Sequence, residues 1–236
     1  MSSYNCLFRP QSRIYCCGPS QSGKSVLVKE MMLRQEECFE RPSKEIHIFA
    51  RHPNQPSYLE LKERSKVKVH IHAGSPDPSW RPPSAGSTII FDDLQTNIKK
   101  GQLADFFLSF SHHYDCNVVF LAQSIYDVAR PDIRLINLNS TYLIVFRQLR
   151  DLSSLDTLNR QLVGAGHPQF LSSIFREHLG DKPHSFILVD LHQQCPRNFR
   201  FRSDVFPQSL KTRVFVPSSE SVSILGDDDT SDKQEK

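Results

Sequence analysis

Gly18-Pro19-Ser20-Gln21-Ser22-Gly23-Lys24-Ser25 is the stretch that leaves this chain the fewest folds. It satisfies G-x-x-x-x-G-K-[ST] at every fixed position, the pattern of a phosphate-cradling P-loop. Arg13-Ile14-Tyr15-Cys16-Cys17 runs just before it and reads as a short buried strand. Val26 to Leu33 follows and reads as a helix packed on a sheet. Strand, glycine-rich loop and helix in that order are the setting the motif requires. Glycines at 18 and 23 let the backbone N–H groups turn inward onto phosphate oxygens. A helix starting near Lys24 aims its positive end at the same place. The expected nucleotide contacts are Gly18, Pro19, Ser20, Gln21, Ser22, Gly23, Lys24, Ser25 and Val26. Lys24 reaches the β- and γ-phosphates of ATP, and the Ser25 hydroxyl ligates Mg²⁺.

The remaining pattern alternates strands with helical stretches, which predicts an α/β fold: a mostly parallel central sheet with helices on both faces. Strands are expected at residues 45–50, 66–72, 87–94, 117–122, 140–146 and 185–190. Helical stretches are expected at 57–65, 101–114, 131–138 and 168–178, with another from an Asp151 N-cap to about residue 162. Thr88-Ile89-Ile90-Phe91-Asp92-Asp93 is an apolar run ending in two carboxylates. A buried parallel strand delivers its last residues to the ligand edge of the sheet. Asp92 then holds Mg²⁺, and Asp93 orients or deprotonates the attacking water. Asn117-Val118-Val119-Phe120-Leu121-Ala122 ends on Gln123, which that placement makes a sensor of the γ-phosphate or its water.

A chain of 236 residues is long enough for one sizeable domain, here expected over 1–216. Residues 217–236 hold too little apolar surface to pack and are expected to be a disordered acidic tail. From residue 218 onward there are six acids and two lysines, leaving 27 basic and 20 acidic residues before it, a net +7. A basic body is compatible with a nucleic-acid partner. No apolar run approaches a membrane span, and the N-terminus lacks a signal peptide's apolar core, so no membrane partner and an intracellular site are expected. The six cysteines form no C-x-x-C pair and read as reduced core residues. The histidines, His112-His113 among them, lack metal-ligand spacing and read as solvated or capping groups. Trp80 either packs a loop or contacts a ligand. Arg197-Asn198-Phe199-Arg200-Phe201-Arg202 alternates basic and aromatic residues, as an edge strand or a nucleic-acid contact would.

Several further segments carry a family likeness: Leu121-Ala122-Gln123-Ser124, Arg130-Pro131, Asn139-Ser140-Thr141, Phe146-Arg147-Gln148-Leu149-Arg150-Asp151, and Phe201 to Pro207. With the P-loop and the acidic strand end, they make the chain resemble the viral genome-packaging ATPases of the FtsK–HerA superfamily. It looks most like those of Maverick/Polinton-type elements and related DNA viruses, with the poxvirus packaging ATPase further off. The resemblance spans residues 6–207. It implies a RecA-like P-loop NTPase whose homo-oligomeric ring hydrolyses ATP and pumps double-stranded DNA into a capsid, without sequence preference. It also implies capsid or portal partners, and a place in the host nucleus or at a viral assembly site. The acid after the Mg²⁺ aspartate is usually Glu in that family and is Asp93 here. The family's trans-acting arginine maps first to Arg150 and second to Arg147, with Arg130 and Arg134 as outlying candidates. Two other functions fit a P-loop: a nucleotide or nucleoside kinase, and a non-hydrolysing ATP-binding assembly protein of the particle. Asp93 and Gln123 favour water over a nucleoside as the acceptor.

Overall fold

The computed structural model describes residues 4–94, 101–127, 131–180, 182–209, 212–218 and 221–225. A single ten-stranded sheet organises them, with spatial order β10-β9-β8-β7-β6-β1-β5-β4-β2-β3. Its parallel half comprises β6 (Tyr142–Phe146), β1 (Arg13–Cys17), β5 (Asn117–Ala122), β4 (Thr88–Asp92), β2 (Glu45–Ala50) and β3 (Lys68–Ala73). Beyond β6 the pairing turns antiparallel through β7 (Phe186–Asp190), β8 (Phe201–Arg202), β9 (Val214–Ser218) and β10 (Ser221–Leu225).

The central strands β1, β4, β5 and β6 are apolar almost throughout because both of their faces are covered. Successive residues serve opposite sides. Ile14 and Cys16 join one core with Val28, Met31 and Met32 of α1 (Lys24–Leu33), Cys38 of α2 (Gln35–Cys38) and Tyr58 and Leu61 of α3 (Pro56–Arg64). Tyr15 and Cys17 join the other core with α4 (Gln102–His113), α5 (Pro131–Leu138), α6 (Leu152–Val163) and α7 (Phe170–Ser173). On α4 the stripe Leu103, Phe106, Phe107 and Phe110 faces inward at helical spacing. The Asp151 carboxylate accepts from the Ser154 N–H at 3.2 Å, the expected N-cap of α6, a contact of about 1 kcal/mol.

Four expectations are corrected. Residues 197–202 do not form an edge strand: a 3₁₀ turn (Arg197–Phe199) leads into β8, which lies inside the sheet between β7 and β9. Arg202 is 1% exposed and ion-pairs with the fully buried Asp190 at 3.3 Å. The helical stretch at 168–178 divides into α7 and a π-helical segment (Ile174–His178). Ordered structure continues past 216, since β9 and β10 pair as a hairpin out to Leu225; the acidic cluster after it lies outside the described residues. The fourth concerns the histidines. His47 on β2 stacks on His70 of β3, with ring centroids 4.6 Å apart, and shares a hydrogen bond with His72 at 3.2 Å. Trp80 packs edge-on against Phe49 and Phe110 beside them, partly buried against the core. Burial lowers the pKa of His47 and His72. Glu45 closes on His47 and His70, but the two rings are parallel to within 3°. Parallel imidazole planes cannot both contain one ion, and the group is a packing element.

Candidate nucleotide site

Close backbone approach builds the loop between β1 and α1. A Cβ on Gly18 would lie 2.6 Å from the Phe146 Cβ, so only glycine lets the chain leave β1 beside β6. Gly23 holds φ 100°, in the left-handed region that glycine adopts without strain. The Gly18 N–H donates to the Ala122 carbonyl at 3.2 Å, and the Ser22 N–H to the Pro19 carbonyl at 3.2 Å. The His184 ring donates to the Ser22 carbonyl at 3.0 Å, a contact from the segment preceding β7 that sequence reasoning missed. No side chain caps α1, so its N-terminal end is open to an anion. Val26, in the first turn, is 54% exposed.

The Lys24 ammonium is folded onto the loop, donating to the carbonyls of Gly18 at 2.8 Å and Pro19 at 2.9 Å. Burial lowers its pKa, against the pull of Asp92 and Asp93 among its neighbours. A cation holding two carbonyls of a loop that curls about it is set to exchange them for phosphate oxygens.

Strand order brings the acids to this cation. β1 pairs β5 and β5 pairs β4, all parallel, so the ends of the three strands meet at one edge. Asp92, the last residue of β4, is 6% exposed. Its Oδ2 accepts from the Tyr58 hydroxyl at 2.6 Å and from the Gln55 amide at 3.1 Å. Asp93 turns off the strand at φ 53°, a left-handed position that Asp tolerates better than most residues. Its carboxylate accepts from the Gln123 amide at 3.1 Å. Lys24, Ser25, Asp92, Asp93 and Gln123 all line one cleft of about 150 Å³, joined by Gln55. Gln55 and Tyr58 were not singled out from the sequence. A topological cue existed: β2 lies next to β4, so the loop leaving β2 must rise at the ligand edge.

A second cavity of about 470 Å³ opens on the other side of the loop, between residues 19–22, 146–150 and 182–185. Arg147 and Arg150 both line it, beside the chain's own loop; the Arg147 guanidinium donates to the Gly180 carbonyl at 3.1 Å, and Arg150 is exposed. Ser20 and Gln21 border both cavities. Arg134 sits exposed on α5, and Arg130 lies outside the described residues. No described helix is long and apolar enough to cross a membrane.

No family model and no curated protein matches the chain. Solved structures do. One is B204, the DNA-packaging ATPase from Sulfolobus turreted icosahedral virus, at TM-score 0.51 and 15% identity, covering 79% of this chain and 95% of that one. Another is the genome packaging NTPase B204 from Sulfolobus turreted icosahedral virus 2 in complex with AMP, at TM-score 0.50 and 16% identity, covering 78% of this chain and 94% of that one. At these identities the likeness is one of fold: an α/β P-loop NTPase architecture shared with those two structures.

Proposed function

We propose that the chain is an ATP-hydrolysing motor that packages double-stranded DNA into a viral capsid, of the FtsK–HerA type and most like the Maverick/Polinton packaging ATPases. The observation that carries the reading is the single cleft uniting Lys24 and Ser25 with Asp92, Asp93 and Gln123. A P-loop alone binds phosphate. A P-loop facing a buried acid, a second acid and an amide has what water attack requires. The fold shared with the B204 structures supports the packaging assignment.

The oxygen donors suit a hard divalent cation: Ser25 and the buried Asp92 would hold Mg²⁺. Bound there, the ion would neutralise charge on the β- and γ-phosphate oxygens. The chain's own groups do the rest. Lys24 leaves the Gly18 and Pro19 carbonyls to bind phosphate. Asp93 takes or orients the proton of the attacking water, and Gln123 holds both Asp93 and the water. The 470 Å³ cavity across the loop is large enough for the adenosine moiety. Arg150, or Arg147 in second place, serves a neighbouring subunit of a homo-oligomeric ring. Capsid or portal proteins are the remaining partners, and the host nucleus or a viral assembly site is the place of action.

Measuring both products of γ-³²P-ATP separates hydrolysis from transfer. The account expects Mg²⁺-dependent release of inorganic phosphate. Label appearing on an added nucleoside or nucleotide would make the chain a kinase, and no turnover with intact ATP binding would make it a nucleotide-gated assembly protein.

A further inference from the structure

We propose that Tyr58 and Gln55 are positioning residues that hold Asp92 ready for the divalent cation of the nucleotide site. The inference rests on the nucleotide-site reading above and assigns a task to α3, which joins β2 to β3 and carries none of the P-loop or strand-end signals.

Both donors converge on one oxygen. The Tyr58 hydroxyl reaches Asp92 Oδ2 at 2.6 Å and the Gln55 amide reaches the same atom at 3.1 Å. Two bonds to one oxygen restrain the carboxylate's rotation and leave the acceptor capacity of Oδ1 unused by them. Both donors therefore act on the acid that ends β4, from the segment that leaves β2.

The link is rigid. Tyr58 is fully buried, and its N–H donates to the Gln55 carbonyl at 3.0 Å. α3 is pinned to α1 by Lys29 and Glu60, 2.6 Å apart. Gln55 precedes α3 without capping it through its side chain, yet its amide lines the phosphate cleft. A residue serving only the fold would have no reason to reach there. Partners one shell out from a metal ligand are worth roughly 10–100-fold in metal affinity.

The test compares wild type, Tyr58→Phe and Gln55→Met, each as the full chain, by the affinity of a fluorescent ATP analogue in Mg²⁺ and in EDTA, by Mg²⁺ titration, and by melting temperature. We expect EDTA affinities close to wild type. In Mg²⁺ we expect binding weakened, and half-saturating Mg²⁺ raised, by roughly 10-fold or more in each variant. Equal weakening in Mg²⁺ and EDTA, or a fall in melting temperature with the wild-type Mg²⁺ response retained, would overturn the proposal and leave a structural role. Gln55→Met changes a half-exposed side chain, so it decides the matter even where Tyr58→Phe fails to fold. A wild type whose nucleotide affinity ignores Mg²⁺ would overturn the cation reading itself, and is recognised because no mutation is involved.

Discussion

The Gln123 amide donates to the Asp93 carboxylate across 3.1 Å, joining the ends of two adjacent parallel strands at the mouth of the phosphate cleft. The pair gives the site a proton acceptor held by a neutral donor. Each member has its own expected signature. Asp93→Asn should bind ATP with near-normal affinity and lose hydrolysis by about 10²-fold or more, the range for a proton-transfer group. Gln123→Ala should lower turnover by less and leave Mg²⁺ dependence untouched. Nucleotide titration paired with phosphate release reads both, and near-normal turnover of Asp93→Asn would move the water-activating role to Gln123.

Lys24 donates only to the Gly18 and Pro19 carbonyls at the loop. Its removal should therefore cost binding and not folding. Lys24→Ala is expected to stay folded, since its hydrogen bonds go to two carbonyls of the loop itself and tie no other element to it. ATP affinity and turnover should both collapse. Calorimetry and nucleotide titration on one preparation check the pair of statements.

Arg202 marks a different relationship. It is 1% exposed, donates to the Cys6 carbonyl at 3.0 Å and pairs with Asp190, which also accepts from the Tyr4 hydroxyl at 2.6 Å. Removing one partner of a buried pair typically costs about 3–5 kcal/mol because the other charge is stranded. Arg202→Ala should accordingly lower the melting temperature sharply, whereas Arg197→Ala, on an exposed residue, should not. Loss of DNA affinity in a stably folded Arg202→Ala would contradict this structural role.

These cases show which parts of the architecture could be read in advance. The P-loop, the apolar runs of β1, β4, β5 and β6 and the Asp151 cap are local patterns, where residue type and spacing decide the backbone within a few positions. The stacking of His47 on His70 was not legible, because it depends on the register that sets those residues opposite each other on β2 and β3. Nor was the burial of Arg202, whose partner is brought in by antiparallel pairing of β7 with β8. The same holds for Tyr58 and Gln55. Each is ordinary in its own segment, and only the adjacency of β2 and β4 carries them to Asp92.

Arg150 is exposed and lines the cavity on its own chain's loop, so service to a neighbour demands assembly. ATPase per subunit should climb with protein concentration. Arg150→Ala should lose far more turnover than ATP affinity, hydrolysing about 10³-fold or more slowly, as expected for loss of a phosphoryl-stabilising arginine. Mixing it with Lys24→Ala should restore turnover at interfaces that pair an intact loop with an intact arginine. A mixture that co-assembles and stays inactive would transfer the same test to Arg147.

The most direct test of the packaging account is steady-state ATPase with and without double-stranded DNA, for wild type and Lys24→Ala, across a salt series. The account predicts that DNA of unrelated sequences stimulates wild-type turnover alike, that rising salt removes the stimulation as phosphate contacts weaken, and that Lys24→Ala shows none. Wild-type turnover that is indifferent to DNA at low salt, under conditions where the chain has assembled, would contradict it.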